Sequence, residues 1–166
     1  MSVTKARLHE LLDYDPGTGA FTWRKAPGKR TELVGRTAGF DSHGYVFLSI
    51  DYQKYPAHRV AWFYVYGRWP RDEIDHINRI RSDNRIVNLR EATHHQNTCN
   101  GPPRRTSKSG LIGVSWDSGT GQWRAHITVA GRTRHLGRFD SITEATVARQ
   151  AAARAQFGDF APQART

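Results

Sequence analysis

Short apolar segments separated by turn-forming residues fill the chain up to residue 57. Segments 20–23 and 45–50 are largely apolar or aromatic, and the neighbouring stretches 15–19 and 42–44 contain Gly, Pro, Asp and Ser. Runs of this length bounded by such residues are typical of strands joined in hairpins. The pattern therefore predicts a β-rich leader over residues 1–57.

A compact aromatic run follows the leader, over residues 58–66. Its length and apolar character predict a buried helix, and Gly67 is the residue type that ends one. The polar stretch after it, up to residue 100, combines loop residues with short apolar segments. We expect this second part to carry the chemistry of the chain.

Strict alternation of apolar and polar residues returns over residues 123–129. It predicts a strand with Trp123, Ala125, Ile127 and Val129 on one face and Arg124, His126 and Thr128 on the other. Ala130 and Gly131 form a turn pattern, and residues 132–136 form the returning strand. The result is a hairpin with one apolar and one polar face.

A helix is predicted directly after this hairpin. Ser141 and Glu144 have the spacing of a capping box, which marks a helix N-terminus, and Gly158 marks its end. Alanines recur three or four positions apart along this helix, at Ala145, Ala148, Ala152 and Ala155. Such a small-residue face lets a helix lie close against a sheet.

Residues 101–109 contain no apolar side chain and predict a basic linker between the two parts. The formal net charge is +10, and residues 101–138 hold seven Arg or Lys against one acid, Asp117. An excess of positive charge favours a polyanionic partner, because binding releases the counterions of the phosphates. Nucleic acid is the partner that we expect.

The single cysteine, Cys99, excludes a disulfide framework and a paired-cysteine zinc clamp. The longest apolar run, residues 60–66, is too short to span a bilayer, and the N-terminus has no signal-peptide pattern. We therefore expect a cytoplasmic protein of a bacterium or a phage-infected cell, with no membrane partner and with a monomer favoured.

The candidate chemistry lies between residues 74 and 97. Asp75 and His76 end a short apolar segment, a polar loop follows, and Asn97 lies on a predicted helix. Hydrolysis of a phosphodiester needs a base that activates water and a cation that stabilises charge. A carboxylate and an amide oxygen suit a hard cation such as Mg²⁺, and a neutral histidine accepts a proton near pH 7.

The arrangement of these residues resembles the HNH endonucleases of phage genomes and mobile introns. The resemblance runs through His58–Trp62, Asp75–Asn78, Asp83–Arg85 and Asn88–Arg90 to Asn97, with similar leader segments at 11–19 and 44–45. Together it covers most of residues 8–100. It implies an HNH domain over residues 1–100, with a ββα-metal core within 58–100.

The resemblance also implies roles for individual residues. Asp75 and Asn97 would bind a divalent metal ion, Mg²⁺ or alternatively Mn²⁺, His76 would be the general base, and Asn88 would brace the loop. Two positions depart from the family pattern: Asn97 stands where many members have histidine, and Arg79 stands where glycine is common. Asn84 and Arg85 either fold the loop or contact the DNA backbone.

The remaining histidines have other interpretations. His58 is expected to anchor structure or to touch phosphate. His94 and His95 lie close to Asn97 in sequence, and they form a polar helix surface, a phosphate contact or an additional metal ligand.

The C-terminal part resembles the three-stranded DNA-binding domain of plant ethylene-response factors. The resemblance rests on residues 113–116, 122–127, 136–140 and the alanine helix, within a module over 110–162. It implies that the polar sheet face enters the major groove of double-stranded DNA. The expected DNA-binding residues, including those of the linker, are Arg85, Arg104, Arg105, Lys108, Ser115, Arg124, His126, Thr128, Arg132, Thr133, Arg134 and His135. Trp116, Trp123 and Leu136 are expected in the core.

The sequence as a whole predicts an α+β protein with a hairpin-rich nuclease followed by a three-stranded sheet packed by one helix. The predicted reaction is metal-dependent hydrolysis of DNA phosphodiesters by an endonuclease of the phage or homing type. Two alternatives remain. One is a DNA-binding regulatory protein with an inactive nuclease centre, and the other is an RNA-binding protein, for which a cluster of stacking aromatics is missing.

Overall fold

The computed structural model describes residues 3–26, 28, 30–99, 109–129 and 131–161, with backbone only for residues 95 and 99. The chain divides into two compact units, Met1–His94 and His95–Thr166. Small antiparallel sheets and separate helices build both units, which confirms the α+β class. Apart from Ser109, the predicted linker lies outside the described residues.

The first unit is built from hairpins and two helices. The helices are α1 (Lys5–Leu11) and α2 (Ala57–Tyr66). The strands are β1 (Leu12–Tyr14), β2 (Phe21–Trp23), β3 (Thr37–Ala38), β4 (Phe40–Ser42), β5 (Tyr45–Ile50), β6 (Gln53–Pro56), β7 (Glu73–His76) and β8 (Leu89–Ala92). They form the sheets β1-β2-β3, β4-β5-β6 and β7-β8, all antiparallel. The hairpin-rich leader is thus confirmed.

Helix α2 occupies the centre of this unit, as the aromatic run predicted. Val60, Ala61 and Phe63 are buried in one core cluster, to which α1 and the first strands also contribute. Gly67 ends the helix with a φ of 71°, in the left-handed region that glycine enters without steric cost. The core around α2 supports β7, the strand that carries Asp75 and His76.

Helix α1 was not predicted. Thr4 caps its N-terminus, because the Thr4 hydroxyl accepts a hydrogen bond from the Arg7 backbone N–H at 3.2 Å. Leu8 and Leu11 are three residues apart and both buried, which is the helical spacing of a core-facing stripe. The segment is only two turns long, and its burial against the rest of the unit stabilises a helix that would be marginal alone.

The second unit contains a three-stranded antiparallel sheet and one long helix. A short helix, α3 (His94–Cys99), runs across the division between the units. The strands are β9 (Val114–Asp117), β10 (Gln122–Val129) and β11 (Arg132–Phe139), in the order β11-β10-β9, and the helix is α4 (Ile142–Phe157). Strand β11 continues three residues beyond the predicted end at residue 136. No helix among the described residues is long and apolar enough to cross a membrane.

Helix α4 begins where the capping box predicted, but the predicted alanine face was only partly correct. The Ser141 hydroxyl accepts a hydrogen bond from the Glu144 N–H at 3.1 Å. The buried residues of α4 are Ala145, Arg149 and Ala153, whereas Ala155 is exposed and Ala148 and Ala152 are half-buried.

A glycine explains why the buried stripe of α4 passes through Arg149. A Cβ on Gly113 would lie 2.7 Å from Arg149 Nε and 2.3 Å from the His126 carbonyl oxygen. The missing side chain at Gly113 therefore makes room for the arginine. Alanine spacing alone did not reveal this contact between distant residues.

The expectation that Trp116 lies in the core was wrong. Its side chain is 52% exposed, because β9 is an edge strand and Trp116 lies near the end of that strand. Trp116 contacts Trp123 edge to face, with ring centroids 5.3 Å apart. Trp123 and Leu136 are partly buried against the core clusters, as expected.

Candidate active site and nucleic-acid interface

The last two residues of β7, Asp75 and His76, are both buried. Strand β7 pairs with β8 so that Asp75 lies opposite Arg90 and His76 lies opposite Leu89. Neighbouring side chains of a strand point to opposite faces, so the carboxylate and the imidazole have different surroundings. The hairpin thus places a carboxylate and a histidine next to each other on a supported strand.

The carboxylate of Asp75 is bound by a guanidinium. Asp75 Oδ2 accepts hydrogen bonds from Arg90 Nε at 2.8 Å and from Arg90 Nη2 at 2.6 Å. Both side chains are largely withdrawn from water, so the positive charge compensates the buried negative charge. Arg90 was not among the expected site residues, although its position opposite Asp75 follows from the hairpin register.

His76 lies among aromatic rings and beside an amide. Its ring centroid lies 5.1 Å from that of His58 and 6.1 Å from that of Tyr45. His76 Nε2 lies 3.4 Å from Asn84 Oδ1, the distance of a long hydrogen bond. Burial lowers the pKa of His76 below its usual value, so the ring is neutral and able to accept a proton at pH 7.

His58 is a buried part of the same ring cluster. Burial, followed by the charge of a protonated His76, lowers the pKa of His58 to about 3. Its Nδ1 is buried and has no hydrogen-bond partner among the described residues. These surroundings agree with the expectation that His58 anchors structure.

The loop between β7 and β8 is held by its own side chains. Asn88 Oδ1 accepts a hydrogen bond from the Asn78 N–H at 3.0 Å, and Asn88 Nδ2 donates to the Asp83 carbonyl at 2.8 Å. Asn78 Nδ2 also donates to Asp83 Oδ2 at 2.7 Å. Asn88 therefore bridges two separate points of the loop, in the way expected of a residue that braces it.

Arg79 adopts the conformation that glycine would take. Its φ is 64°, and its N–H donates to the His76 carbonyl at 2.8 Å, which closes the turn directly after the histidine. The left-handed region is costly for a residue with a Cβ. The turn therefore forms with arginine at a position of left-handed φ, at the expense of local strain.

Two arginines of the loop have different surroundings. Arg85 pairs with Asp83, with Nη2 2.6 Å from Oδ2, so it contributes to the folded loop. The guanidinium of Arg81 is exposed and lies 4.8 Å above the Tyr45 ring, beside the ring cluster of His76. The sequence did not single out Arg81, because its position beside His76 depends on contact with a strand far away in the chain.

Other expected metal ligands are placed on α3. Asn97 lies on this helix within the second unit. His94 Nδ1 lies 2.8 Å from Glu73 Oε1, and the His94 side chain is 87% exposed. Over the described ranges, no group of three or more His, Cys, Asp or Glu is close enough to hold a metal ion. The expected ligands, the carboxylate of Asp75 and the amide of Asn97, would not form a group of that kind.

One face of the sheet in the second unit carries six of the twelve expected DNA-binding residues. Cross-strand pairs share a face, and the pairs Arg124–Ser115, His126–His135 and Thr128–Thr133 lie opposite the apolar face on which α4 packs. In the last pair, the two hydroxyl oxygens are 3.0 Å apart. The polar face expected from the alternation is therefore present.

A β-bulge in β11 changes which arginines belong to this face. Ala125 pairs with Gly137 whereas the next residue, His126, pairs with His135, so Leu136 is the extra residue. Beyond the bulge, Arg138 pairs with Arg124 and lies on the polar face, which simple alternation along β11 would not predict. Arg138 Nε lies 3.5 Å from Asp117 Oδ2.

Two of the expected DNA-binding arginines do not belong to the polar face. Arg132 and Arg134 lie opposite Val129 and Ile127, which places them on the side of the sheet that bears α4. Both are exposed. The expected linker residues Arg104, Arg105 and Lys108 lie outside the described residues.

Comparison with known proteins gives one family for the segment that contains this site. No curated protein and no solved structure matches the chain. The family model described as HNH endonuclease matches residues 55–99, roughly a quarter of the chain. This segment begins at the end of β6, includes α2, β7 and β8, and ends with α3. The match supports an HNH nuclease, with DNA as the substrate that such a domain implies.

Proposed function

We propose that the chain is a metal-dependent DNA endonuclease of the phage or homing type, with His76 as its general base. The observation that carries this proposal is the buried Asp75–His76 pair at the end of β7, within the segment that matches the HNH family. The neutral state of His76 and the braced loop behind it are properties that a general base needs.

In the proposed reaction, His76 takes a proton from a water molecule. The water oxygen forms a bond to phosphorus while the bond between phosphorus and the leaving sugar oxygen breaks, and that oxygen gains a proton from solvent. Arg81, exposed beside the histidine, is placed to contact a DNA phosphate. Asn88 acts by holding the loop that follows His76 and does not itself react.

The donors present fit a hard divalent cation. Asp75 offers a carboxylate beside the histidine, and Asn97 is proposed as a second oxygen donor that completes a ββα-metal core. Mg²⁺ or Mn²⁺ would supply positive charge that stabilises the phosphate and the leaving oxygen. The contact of Arg90 with Asp75 Oδ2 means that a cation would share this carboxylate with a guanidinium.

Cleavage of a supercoiled plasmid by the full chain, with Mg²⁺ or with EDTA, tests this proposal. His76→Ala should lower the cleavage rate by about 10²- to 10⁴-fold, the usual contribution of a general base, and should leave DNA binding intact. His43→Asn is the matched control, because His43 is an exposed turn residue of the same unit with a φ of 55°, which asparagine tolerates.

Two results would contradict the assignment. Full activity of the His76→Ala variant would show that another group is the base. DNA binding by the parent without cleavage under any divalent cation would favour the alternative of a regulatory protein with an inactive centre.

We also propose that the polar face of the C-terminal sheet binds double-stranded DNA in the manner of the ethylene-response-factor domain. The face carries Arg124 and Arg138 side by side, and α4 covers the opposite face of the sheet. Arginine binds both phosphates and base edges, and a β-sheet face fits the major groove.

Arg124→Ala in the full chain should make the slope of log affinity against log salt shallower by roughly one unit if Arg124 contacts a phosphate. An unchanged slope and affinity would remove this face from the DNA interface.

A further inference from the structure

A buried amide faces the imidazole of the proposed general base. Asn84 is 2% exposed, and its Oδ1 lies 3.4 Å from His76 Nε2. The positions of the amide nitrogen and oxygen are distinguished by a second contact, because Asn84 Nδ2 donates to the Ser82 carbonyl oxygen at 3.3 Å. The amide oxygen therefore points to the histidine, and an amide oxygen can only accept a hydrogen bond.

This orientation determines the proton position on the ring. If Asn84 Oδ1 accepts, His76 Nε2 must carry the hydrogen, and in a neutral imidazole the lone pair then lies on Nδ1. We propose that Asn84 is a positioning residue that keeps His76 in the Nε2–H tautomer, so that Nδ1 is the nitrogen that accepts the proton from water. The inference rests on the proposed role of His76 as the general base.

The N-terminal hairpin holds Asn84 in this position. The Tyr14 hydroxyl donates to the Asn84 carbonyl oxygen at 2.7 Å, across 70 positions of sequence. The backbone of Gly19 packs against the peptide bond between Asn84 and Arg85. A Cβ on Gly19 would lie 2.4 Å from Arg85 N and 2.5 Å from Asn84 C. With a φ of 75°, Gly19 also has the conformation that glycine favours. The leader hairpin β1-β2 thus clamps the backbone on both sides of the Asn84 carbonyl.

The role of Asn84 differs from that of Asn88. Asn88 bonds to the backbone at Asn78 and Asp83 and so shapes the loop. Asn84 links the leader hairpin to the ring of His76 through its backbone carbonyl on one side and its side-chain amide on the other. A leader that is distant in sequence from the HNH segment therefore controls which ring nitrogen of His76 is basic.

Nuclear magnetic resonance of the full chain with ¹⁵N-labelled histidine tests the tautomer directly, without any cleavage. The two ring nitrogens of His76 should give the signature of the Nε2–H form in the parent. Asn84→Ala should shift the signal toward a mixture of tautomers, and Asn84→Asp, which keeps an acceptor oxygen, should restore the Nε2–H form. An Nδ1–H signature in the parent, or the same signature in Asn84→Ala, would overturn the proposal.

Kinetics provide the second measurement. Asn84→Ala should lower kcat by about 10- to 100-fold, the scale found for residues that orient a reacting group, with KM for DNA unchanged because Asn84 is buried. A rise in KM with unchanged kcat would contradict the positioning role.

A conservative pair of tyrosine variants tests the clamp even if Asn84→Ala does not fold. Tyr14→Phe removes only the hydroxyl and should lower kcat about fivefold, the scale of one hydrogen bond. Tyr64→Phe is the matched control, since its hydroxyl donates to the Leu12 carbonyl at 3.3 Å and its ring lies 5.7 Å from that of Tyr14. Equal effects of the two variants would contradict the clamp. If His76→Ala cleaves DNA as fast as the parent, the proposed function is refuted, whatever tautomer His76 has.

Discussion

Burial of His58 should make the first unit sensitive to mild acid. The pKa of His58 is about 3 in the folded protein, against 6.5 for an ordinary histidine, because burial disfavours the charged ring. As the pH falls through 6.5, the unfolded chain binds a proton at this position and the folded chain does not. The stability that His58 contributes is therefore present above pH 6.5 and is lost as the pH falls toward 3.

The size of this loss follows from the two pKa values. Each pKa unit corresponds to about 1.4 kcal/mol, so the free energy of unfolding should fall by about 2 kcal/mol between pH 6.5 and pH 4.5 through His58 alone. The paired carboxyl groups of Asp83 and Glu91 act mainly below this window, because the unfolded chain protonates them near their ordinary pKa of about 4 and the folded chain only near 2. Histidine protonation therefore dominates the pH dependence there.

Replacement by a ring that cannot ionise isolates the effect. His58→Phe keeps an aromatic side chain against His76 and Tyr45, and it removes the Nδ1 that lacks a partner among the described residues. Urea unfolding, followed through the amide signals of α2 at several pH values, should show a dependence about 2 kcal/mol flatter than in the parent. His43→Asn, at an exposed turn, should leave the dependence unchanged. The same pH dependence in His58→Phe and parent would refute the reasoning.

Three further predictions follow from the loop and the C-terminal sheet. Arg79→Gly should raise the free energy of unfolding by up to about 1 kcal/mol, since a φ of 64° strains arginine and not glycine. Arg79→Ala should give no such gain, and urea unfolding of both variants measures the difference. Arg90→Gln should tighten Mn²⁺ binding up to about tenfold in calorimetry, because the variant removes a positive charge from beside the Asp75 carboxylate that would bind the cation. Weaker binding would show that Arg90 instead orients the Asp75 carboxylate. Arg138→Ala should reduce DNA affinity and its salt dependence as much as Arg124→Ala does, because the bulge places Arg138 beside Arg124. Arg134→Ala should have a smaller effect, because Arg134 lies on the other side of the sheet. A larger loss of affinity in Arg134→Ala than in the other two variants would contradict the assignment of faces.

The main elements of the candidate site could be predicted from sequence because they depend on short stretches of chain. An apolar segment ending in Asp75-His76 predicts a strand that presents both side chains at its end, and the structure has β7 there. The resemblance assigned Asn88 to the loop, and its hydrogen-bond partners there lie within ten positions of it in sequence. The catalytic and metal-binding roles themselves stay predictions.

The surroundings of these residues could not be predicted in the same way. The pairing of Arg90 with Asp75 follows from hairpin register, and the position of Arg81 over Tyr45 follows from packing between separate hairpins. The same limit applies to α4, where the buried stripe runs through Arg149 because Gly113 leaves room for it. Each contact depends on two residues whose proximity is set by the fold.

The sequence by itself determined the α+β class, the hairpin-rich leader, helix α2 and the alternation of β10, because periodicity and turn residues act within a few positions of the chain. Tertiary structure alone decided which nitrogen of His76 faces an acceptor and which arginines share the polar face. The first depends on a hydrogen bond from Tyr14 to Asn84 across 70 positions, and the second on one extra residue in β11 that reverses the side of every residue after it. Both are contacts between distant parts of a chain, for which local pattern contains no signal.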